Sequence, residues 1–246
     1  MKIVFLGTNG WYDTDTGNAI STLIDCGERY IILDAGNGIY KADRYMKEKK
    51  PVVLFLSHFH IDHICGLHIL VKFGFESLTI IGQPGTRETL EYFLGDKFSV
   101  PLKKLPYPAD VVELAPGWHE KPFKLQTLKL KHASSCFGLR MHIDGKVISY
   151  CTDTGPCRAS LELAKEADIL ISECAFASGQ ENPEWPHMNP ELAAKLAKDS
   201  GAKKLVMTHF DAEVYQRLEQ RDEAEGKAKK IFPDSAAARD GMEVSV

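Results

Sequence analysis

An α/β protein made of two sheets packed face to face, with helices outside, is the fold class this sequence predicts. Two observations carry that expectation. Strand-like runs are followed by helix–strand alternation, and the order occurs twice along the chain. The 246 residues are 44% hydrophobic and contain no repeat, low-complexity tract or Gly/Ser linker, so residues 1–246 read as one domain with one large core.

The first strands are expected at 2–6, 19–25 and 29–34, where apolar and β-branched residues cluster between turn signals. A polar, glycine-containing loop from Thr8 to Asn18 joins the first two. Asp34-Ala35-Gly36-Asn37-Gly38 marks a tight exit into a helix near 39–47. Val52-Val53-Leu54-Phe55-Leu56 reads as a buried strand, and the apolar run from Ile64 as a helix over 64–73. A strand at 77–81 follows, then a helix over 86–94 opened by Gly85-Thr86, then a proline-rich loop from Pro101 to Pro108. Strands dominate 110–152, with Gly138 and Asp144-Gly145 as turn points, the second a hairpin signal. The remainder alternates: helix 158–166, strand 168–172, helix 190–199, strand 203–208, helix 212–225 and a strand near 242–246. The helix at 190 is well signed, with Asn189 as N-cap, Pro190 at its first position and Gly201 just past its end.

Net charge is -4 with acids and bases interspersed, so no global field attracts nucleic acid or an acidic membrane. Apolar runs are strand-sized, well short of the ~20 residues a membrane span needs. The segment from Met1 to Gly7 is too short for a signal peptide. Six cysteines (Cys26, Cys65, Cys136, Cys151, Cys157, Cys174) make no Cys-x-x-Cys pair and no dense disulfide framework. They read as reduced thiols of a cytoplasmic protein; Cys65, two residues past His63, is near enough to approach a metal.

The chemistry concentrates in Ser57-His58-Phe59-His60-Ile61-Asp62-His63, at the junction of the buried strand and the next helix. In extended backbone, His58 and His60 point the same way and can grip one ion together. Asp62 and His63 follow where the chain turns and can face a second ion beside the first. Imidazole and carboxylate at this spacing are ligands for divalent transition metals. Three further candidates stand at strand ends: His132, Asp153 and His209. Each alone reads more readily as a capping or hydrogen-bonding residue. Together with the first cluster they make a dinuclear shell, in which His58, His60 and His132 hold one ion, Asp62, His63 and His209 the other, and Asp153 bridges. That count leaves open positions for water and substrate.

The chain resembles the metallo-β-lactamase superfamily, and within it the tRNase Z branch and its short relatives. The resemblance rests on Phe5-Leu6-Gly7-Thr8, Asp34-Ala35-Gly36, the His58–His63 motif, His132, Phe137-Gly138-Leu139-Arg140, Asp153-Thr154-Gly155, Ser172-Glu173-Cys174-Ala175, His187-Met188-Asn189, Thr208-His209-Phe210 and Ala238-Arg239-Asp240-Gly241-Met242. It implies a four-layer αββα sandwich of two mixed sheets with two zinc ions at one edge, manganese or iron in some members, and a homodimer in many. It also implies that His187, backed by Glu173, is the acid that protonates the leaving group; the other reading of His187 is a loop histidine at the start of the next helix. Asp62 is placed to orient the nucleophile. Arg140 binds a phosphate oxygen or pairs with a surface acid; both readings stay open. His68, His119 and His142 have no matching partners.

Departures from the branch bear on substrate. Proteins of the tRNase Z type carry a basic Pro-x-Lys/Arg-x-Arg-Asn loop after the first strand, where this chain has Tyr12-Asp13-Thr14-Asp15-Thr16-Gly17-Asn18. Their tRNA-gripping arm, inserted after the position of Arg140, has no room here, and Asn37 and Ser172 replace a glutamate and a histidine. The expectation is therefore a metal-dependent phosphodiesterase that cleaves a small or cyclic phosphodiester, or a nucleotide, through a metal-bridging hydroxide. A tRNA 3′-processing endoribonuclease is the alternative, disfavoured by the missing grip. Lactone, thioester or sulfate ester hydrolysis is the third reading, and a degenerate binding module the fourth.

Overall fold

Ile3 and Phe5 of the first strand face one core while Val4 and Leu6 face another, and this two-residue alternation builds the whole molecule. The computed structural model describes residues 1–246. The first half contributes strands β1 (Lys2–Gly7), β2 (Asn9–Gly10), β3 (Ser21–Asp25), β4 (Tyr30–Leu33), β5 (Pro51–Phe55), β6 (Ser77–Gly82) and β7 (Ala109–Glu113). The second contributes β8 (Gly117–His119), β9 (Leu125–Lys129), β10 (Phe137–Ile143), β11 (Lys146–Cys151), β12 (Ile169–Glu173), β13 (Leu205–Thr208), β14 (Phe210–Asp211), β15 (Ser235–Ala237) and β16 (Glu243–Ser245). The α-helices are α1 (Ile61–Ile64), α2 (Thr86–Phe93), α3 (Arg158–Ala164), α4 (Pro190–Ser200) and α5 (Leu218–Lys229).

Two seven-stranded sheets result, ordered β16-β1-β3-β4-β5-β6-β7 and β15-β13-β12-β11-β10-β9-β8. Each is antiparallel on one side and parallel on the other, the switch falling between β4 and β5 in the first sheet and between β11 and β12 in the second. Between the sheets lies a core that includes Phe5, Ile31, Val53 and Phe55 against Leu139, Ile148, Tyr150 and Ile171. Outside the first sheet, Leu54 and Ile80 pack on Ile39, Leu67, Leu70 and Leu90. Outside the second, Leu170, Leu205 and Met207 pack on Leu163, Ala193, Ala197 and Ala224. These three cores define a four-layer αββα sandwich, the metallo-β-lactamase fold expected from the sequence. No helix is long and apolar enough to cross a membrane.

Several boundaries differ from expectation. The segment expected to be helical near 39–47 is a 3₁₀ helix over Asn37–Arg44, and the helix expected from 64 begins at Ile61, continuing as 3₁₀ over Cys65–Lys72. Asp62 and His63 therefore lie inside a helical turn. Gly138 is not a turn but sits within β10; a Cβ there would meet Leu163 at 2.5 Å, so glycine lets α3 press onto the strand. The helix expected at 212–225 forms at 218–229, where Gln220 Oε1 accepts from the Arg217 amide and the buried face is Arg221, Ala224 and Ala228. The hairpin at Asp144-Gly145 forms as expected, with φ of 51° and 73°, the paired positive values of a tight two-residue turn. Asn189 caps α4 by accepting from the Leu192 amide at 2.9 Å, and Gly201 closes it at φ 70°.

Candidate metal centre

The parallel strands end at one edge of the sandwich, and the polar residues just beyond them converge there. After β5 the chain stays extended to His60, which brings the rings of His58 and His60 to 4.4 Å. The turn of α1 then points Asp62 and His63 inward. This turn is locked to the one after β4: the Ala35 amide donates to the His63 carbonyl and the Gly66 amide to the Ala35 carbonyl, both at 2.8 Å. Buried between them is Asp34, which accepts from the Ser57 amide and hydroxyl (2.8 Å each), His63 Nδ1 (2.8 Å) and the Tyr150 hydroxyl (2.7 Å). Asp34 thereby directs His63 Nε2 at the site.

The opposite sheet supplies His132 after β9, Asp153 after β11 and His209 after β13. Asp153 and His209 both adopt positive φ, 51° and 54°, a conformation that costs non-glycine residues on the order of 1 kcal/mol and is kept where the surroundings enforce it. The Asp153 carboxylate divides its oxygens. Oδ2 lies 3.6 Å from His58 Nε2 and 3.8 Å from His132 Nε2, while Oδ1 lies 3.2 Å from His63 Nε2 and 3.1 Å from His209 Nε2. Asp62 Oδ2 adds 3.2 Å to His209 Nε2 and 3.6 Å to His63 Nε2. His58, His60, His132 and Asp153 form one ligand group and Asp62, His63 and His209 a second, the donor atoms of each lying within 4.8 Å of one another; Asp153, His187 and His209 meet the same limit as a third, overlapping group.

The donor set fits divalent cations. His58 Nε2 is buried, faces Asp153 and has no hydrogen-bond partner, whereas its Nδ1 is 3.0 Å from Ser57 Oγ. A buried nitrogen left this way is costly unless a cation takes its lone pair. Imidazole with carboxylate is also the ligand chemistry of transition metals. Burial, aided by the neighbouring His63, holds His58 well below the usual imidazole range, and burial brings His132 down to about 4, so both present neutral, ligating rings. Burial opposes charge on His63 too, but Asp153, Asp62 and Asp34 outweigh it and raise its proton affinity. Asp153 is held ionised: burial works against the anion, and His209, His63 and His58 prevail.

His187 and Glu173 come together as the sequence suggested. His187 Nδ1 is 2.7 Å from Glu173 Oε1. Glu173 is wholly buried and also accepts from the amides of Thr154 (2.5 Å) and Ala175 (3.2 Å). Burial pulls His187 down, but the Glu173 charge and hydrogen bond raise it to about 9. Its ring stands 5.3 Å from that of His132 and 6.0 Å from that of His209. His60, Asp62, Asp153, His187 and His209 line a cavity of about 460 Å³.

Arg140 is not in this site. Its guanidinium donates to the carbonyls of Leu163 (2.8 Å) and Lys165 (2.5 Å), closing the C-terminal end of α3, and it does not line the cavity. The reading of Arg140 as a phosphate ligand is corrected accordingly: its Nη1 is tied to two carbonyls at the end of α3, away from the cavity. Cys65 belongs to none of these ligand groups. Gly10, Trp11, Trp185 and Asp211, none of them a candidate site residue from the sequence, also line the cavity. Asp34, a carboxylate directly after an apolar strand, carried a signal; the others did not.

A family model described as a beta-lactamase superfamily domain matches residues 29–210. A ribonuclease Z of Methanosarcina mazei is 26% identical over 310 aligned positions, covering 100% of this chain and 98% of the relative; because the alignment is longer than this chain, the relative carries segments with no counterpart here. The probable metallo-hydrolase YhfI of Bacillus subtilis is 27% identical over 215 positions, 85% of this chain and 87% of its own, and its crystal structure superposes with a TM-score of 0.80 at 23% identity over 99% and 98%. Human tRNase Z, short form, superposes with a TM-score of 0.76 at 24% identity, covering 100% of this chain and 99% of the other.

Proposed function

The chain belongs to the beta-lactamase superfamily as a metal-dependent hydrolase, and on that premise we propose that it is a phosphodiesterase of small or cyclic phosphodiesters or nucleotides. The observation that carries the substrate size is the cavity wall. None of its ten lining residues is Lys or Arg, so within the cavity His187 is the one cationic side chain a phosphate can meet beside the metal site. A tight Asp144-Gly145 turn joins β10 to β11 where the tRNase Z type carries its arm.

In this reading His58, His60 and His132 would hold one divalent cation and Asp62, His63 and His209 a second, with Asp153 available to both; zinc suits these donors. Such cations, when bound, would supply charge neutralisation for a diester and acidify water towards neutral pH. The protein does the rest. Asp62, fixed through Oδ2 by the Trp11 amide at 2.8 Å, orients the attacking water. Glu173 fixes the His187 tautomer, and His187 delivers a proton to the departing alkoxide.

The ribonuclease Z relatives favour a second reading, tRNA 3′-end cleavage. A metal-loaded assay on bis(p-nitrophenyl) phosphate, p-nitrophenyl phosphate, a lactone and a precursor tRNA with a 3′ trailer separates them. Preference for the diester supports the proposal; faster cleavage of the tRNA or the lactone overturns it.

A further inference from the structure

Two of the three tryptophans of the chain border this cavity, and both are left largely in water: Trp11 is 60% exposed and Trp185 48%. They attach to different halves of the ligand cluster. Trp185 lies parallel to the ring of His60 (2°, centroids 5.9 Å) and stands edge-on to His132 at 5.7 Å. Trp11 follows Gly10, where a Cβ would meet the His209 ring at 2.6 Å, and its amide donates to Asp62. Its φ is 74°, a value glycine takes freely and a bulky residue takes only under constraint. The backbone there needs only the amide, yet the chain places its largest side chain on it. Aromatic rings held open beside a site are platforms for flat π-systems.

We propose that Trp11 and Trp185 are specificity residues that stack the nucleobase of a singly charged nucleoside phosphodiester over the metal site. The proposal rests on the phosphodiesterase reading and deepens it by naming the substrate class. No Lys or Arg lines the cavity, and its one cationic side chain, His187, is committed to the leaving oxygen, so no cation is left for a second phosphate and the recognition left to the protein is the ring. Water adds to phosphorus, one ring P–O bond breaks, and the freed alkoxide takes its proton from His187, leaving a nucleoside monophosphate.

The test compares adenosine 2′,3′-cyclic phosphate with ethylene phosphate, which shares the five-membered cyclic diester and lacks the base. The metal-loaded enzyme should prefer the nucleotide in kcat/KM by tenfold or more (~1.4 kcal/mol), mostly through KM. Trp11→Ala and Trp185→Ala should bring the ratio towards one, and Trp185→Phe should keep it. A ratio near one in the wild type, or one that survives both alanine variants, overturns the proposal and leaves the phosphodiesterase reading standing. Hydrolysis of neither diester overturns that reading instead, and the stacking is then decided by binding. In a Trp118→Phe chain, whose remaining tryptophans are the two in question, adenosine should quench the emission and ribose should not; equal responses overturn the proposal.

Discussion

Asp34 Oδ2 accepts from His63 Nδ1 at 2.8 Å, with both side chains fully buried. This carboxylate also holds Ser57 and Tyr150, so one group ties the first sheet, the second sheet and the metal turn together. Asp34→Asn, which disturbs the tautomer of His63, should weaken metal affinity about 10- to 100-fold. Competition against a chromogenic chelator measures it; unchanged affinity would show that His63 does not depend on Asp34.

Asp153 offers one oxygen to each ligand group, whereas His58 serves one group. Asp153→Ala should therefore deplete the protein of both cations and abolish diester cleavage, while His58→Ala should deplete it of about one. Metal analysis after equilibrium dialysis checks the stoichiometry.

His187→Ala should retain the metal content of the wild type. Its rate should fall by about 10²–10⁴-fold on diesters with alkoxide leaving groups and far less on nitrophenyl esters, whose anion departs without a proton. Loss of metal on this substitution would sink the assignment of His187 as the acid.

Arg140→Met tests the corrected role. Kinetic constants on small diesters should match the wild type, while thermal unfolding should shift down by a few degrees, as loss of about 1 kcal/mol of helix-end hydrogen bonding implies. A raised KM would restore Arg140 to the site.

Arg221 is fully buried and donates to Thr8 Oγ1 (2.7 Å), Asn9 Oδ1 (2.5 Å) and the Ala238 carbonyl (3.2 Å). It anchors the loop that carries Gly10 and Trp11. Arg221→Met should cost about 3 kcal/mol by stranding those acceptors, a drop of roughly 6–12 °C in Tm by calorimetry.

Much of this architecture is readable before any coordinates. Asn189, Pro190 and Gly201 bound α4 because capping and φ preferences act locally, and the paired Asp144-Gly145 turn obeys the same locality. The ligands were legible because imidazoles at i, i+2 and i+5 with a carboxylate between them have few other uses. What was not legible depends on tertiary contact. Gly138 reads as a turn in sequence, yet its value lies in admitting Leu163 of a distant helix. The buried face of α5 holds a charged residue and two alanines, so no apolar stripe marks where the helix starts. Arg140 carries the same side chain whether it meets a phosphate or two carbonyls, and only the placement of α3 decides. Trp11 and Trp185 lie in polar loops far apart in sequence, and nothing local announces that they share a rim.

His58, His60, Asp62 and His63 hang from the first sheet, and His132, Asp153 and His209 from the second. Cations seated among them would brace the two halves of the sandwich against sliding apart. Folding and loading then become one linked equilibrium, in which each tenfold rise in free ion above its dissociation constant adds about 1.4 kcal/mol of resistance to unfolding. For such a molecule, durability is a property of the surrounding ion supply as much as of the polypeptide.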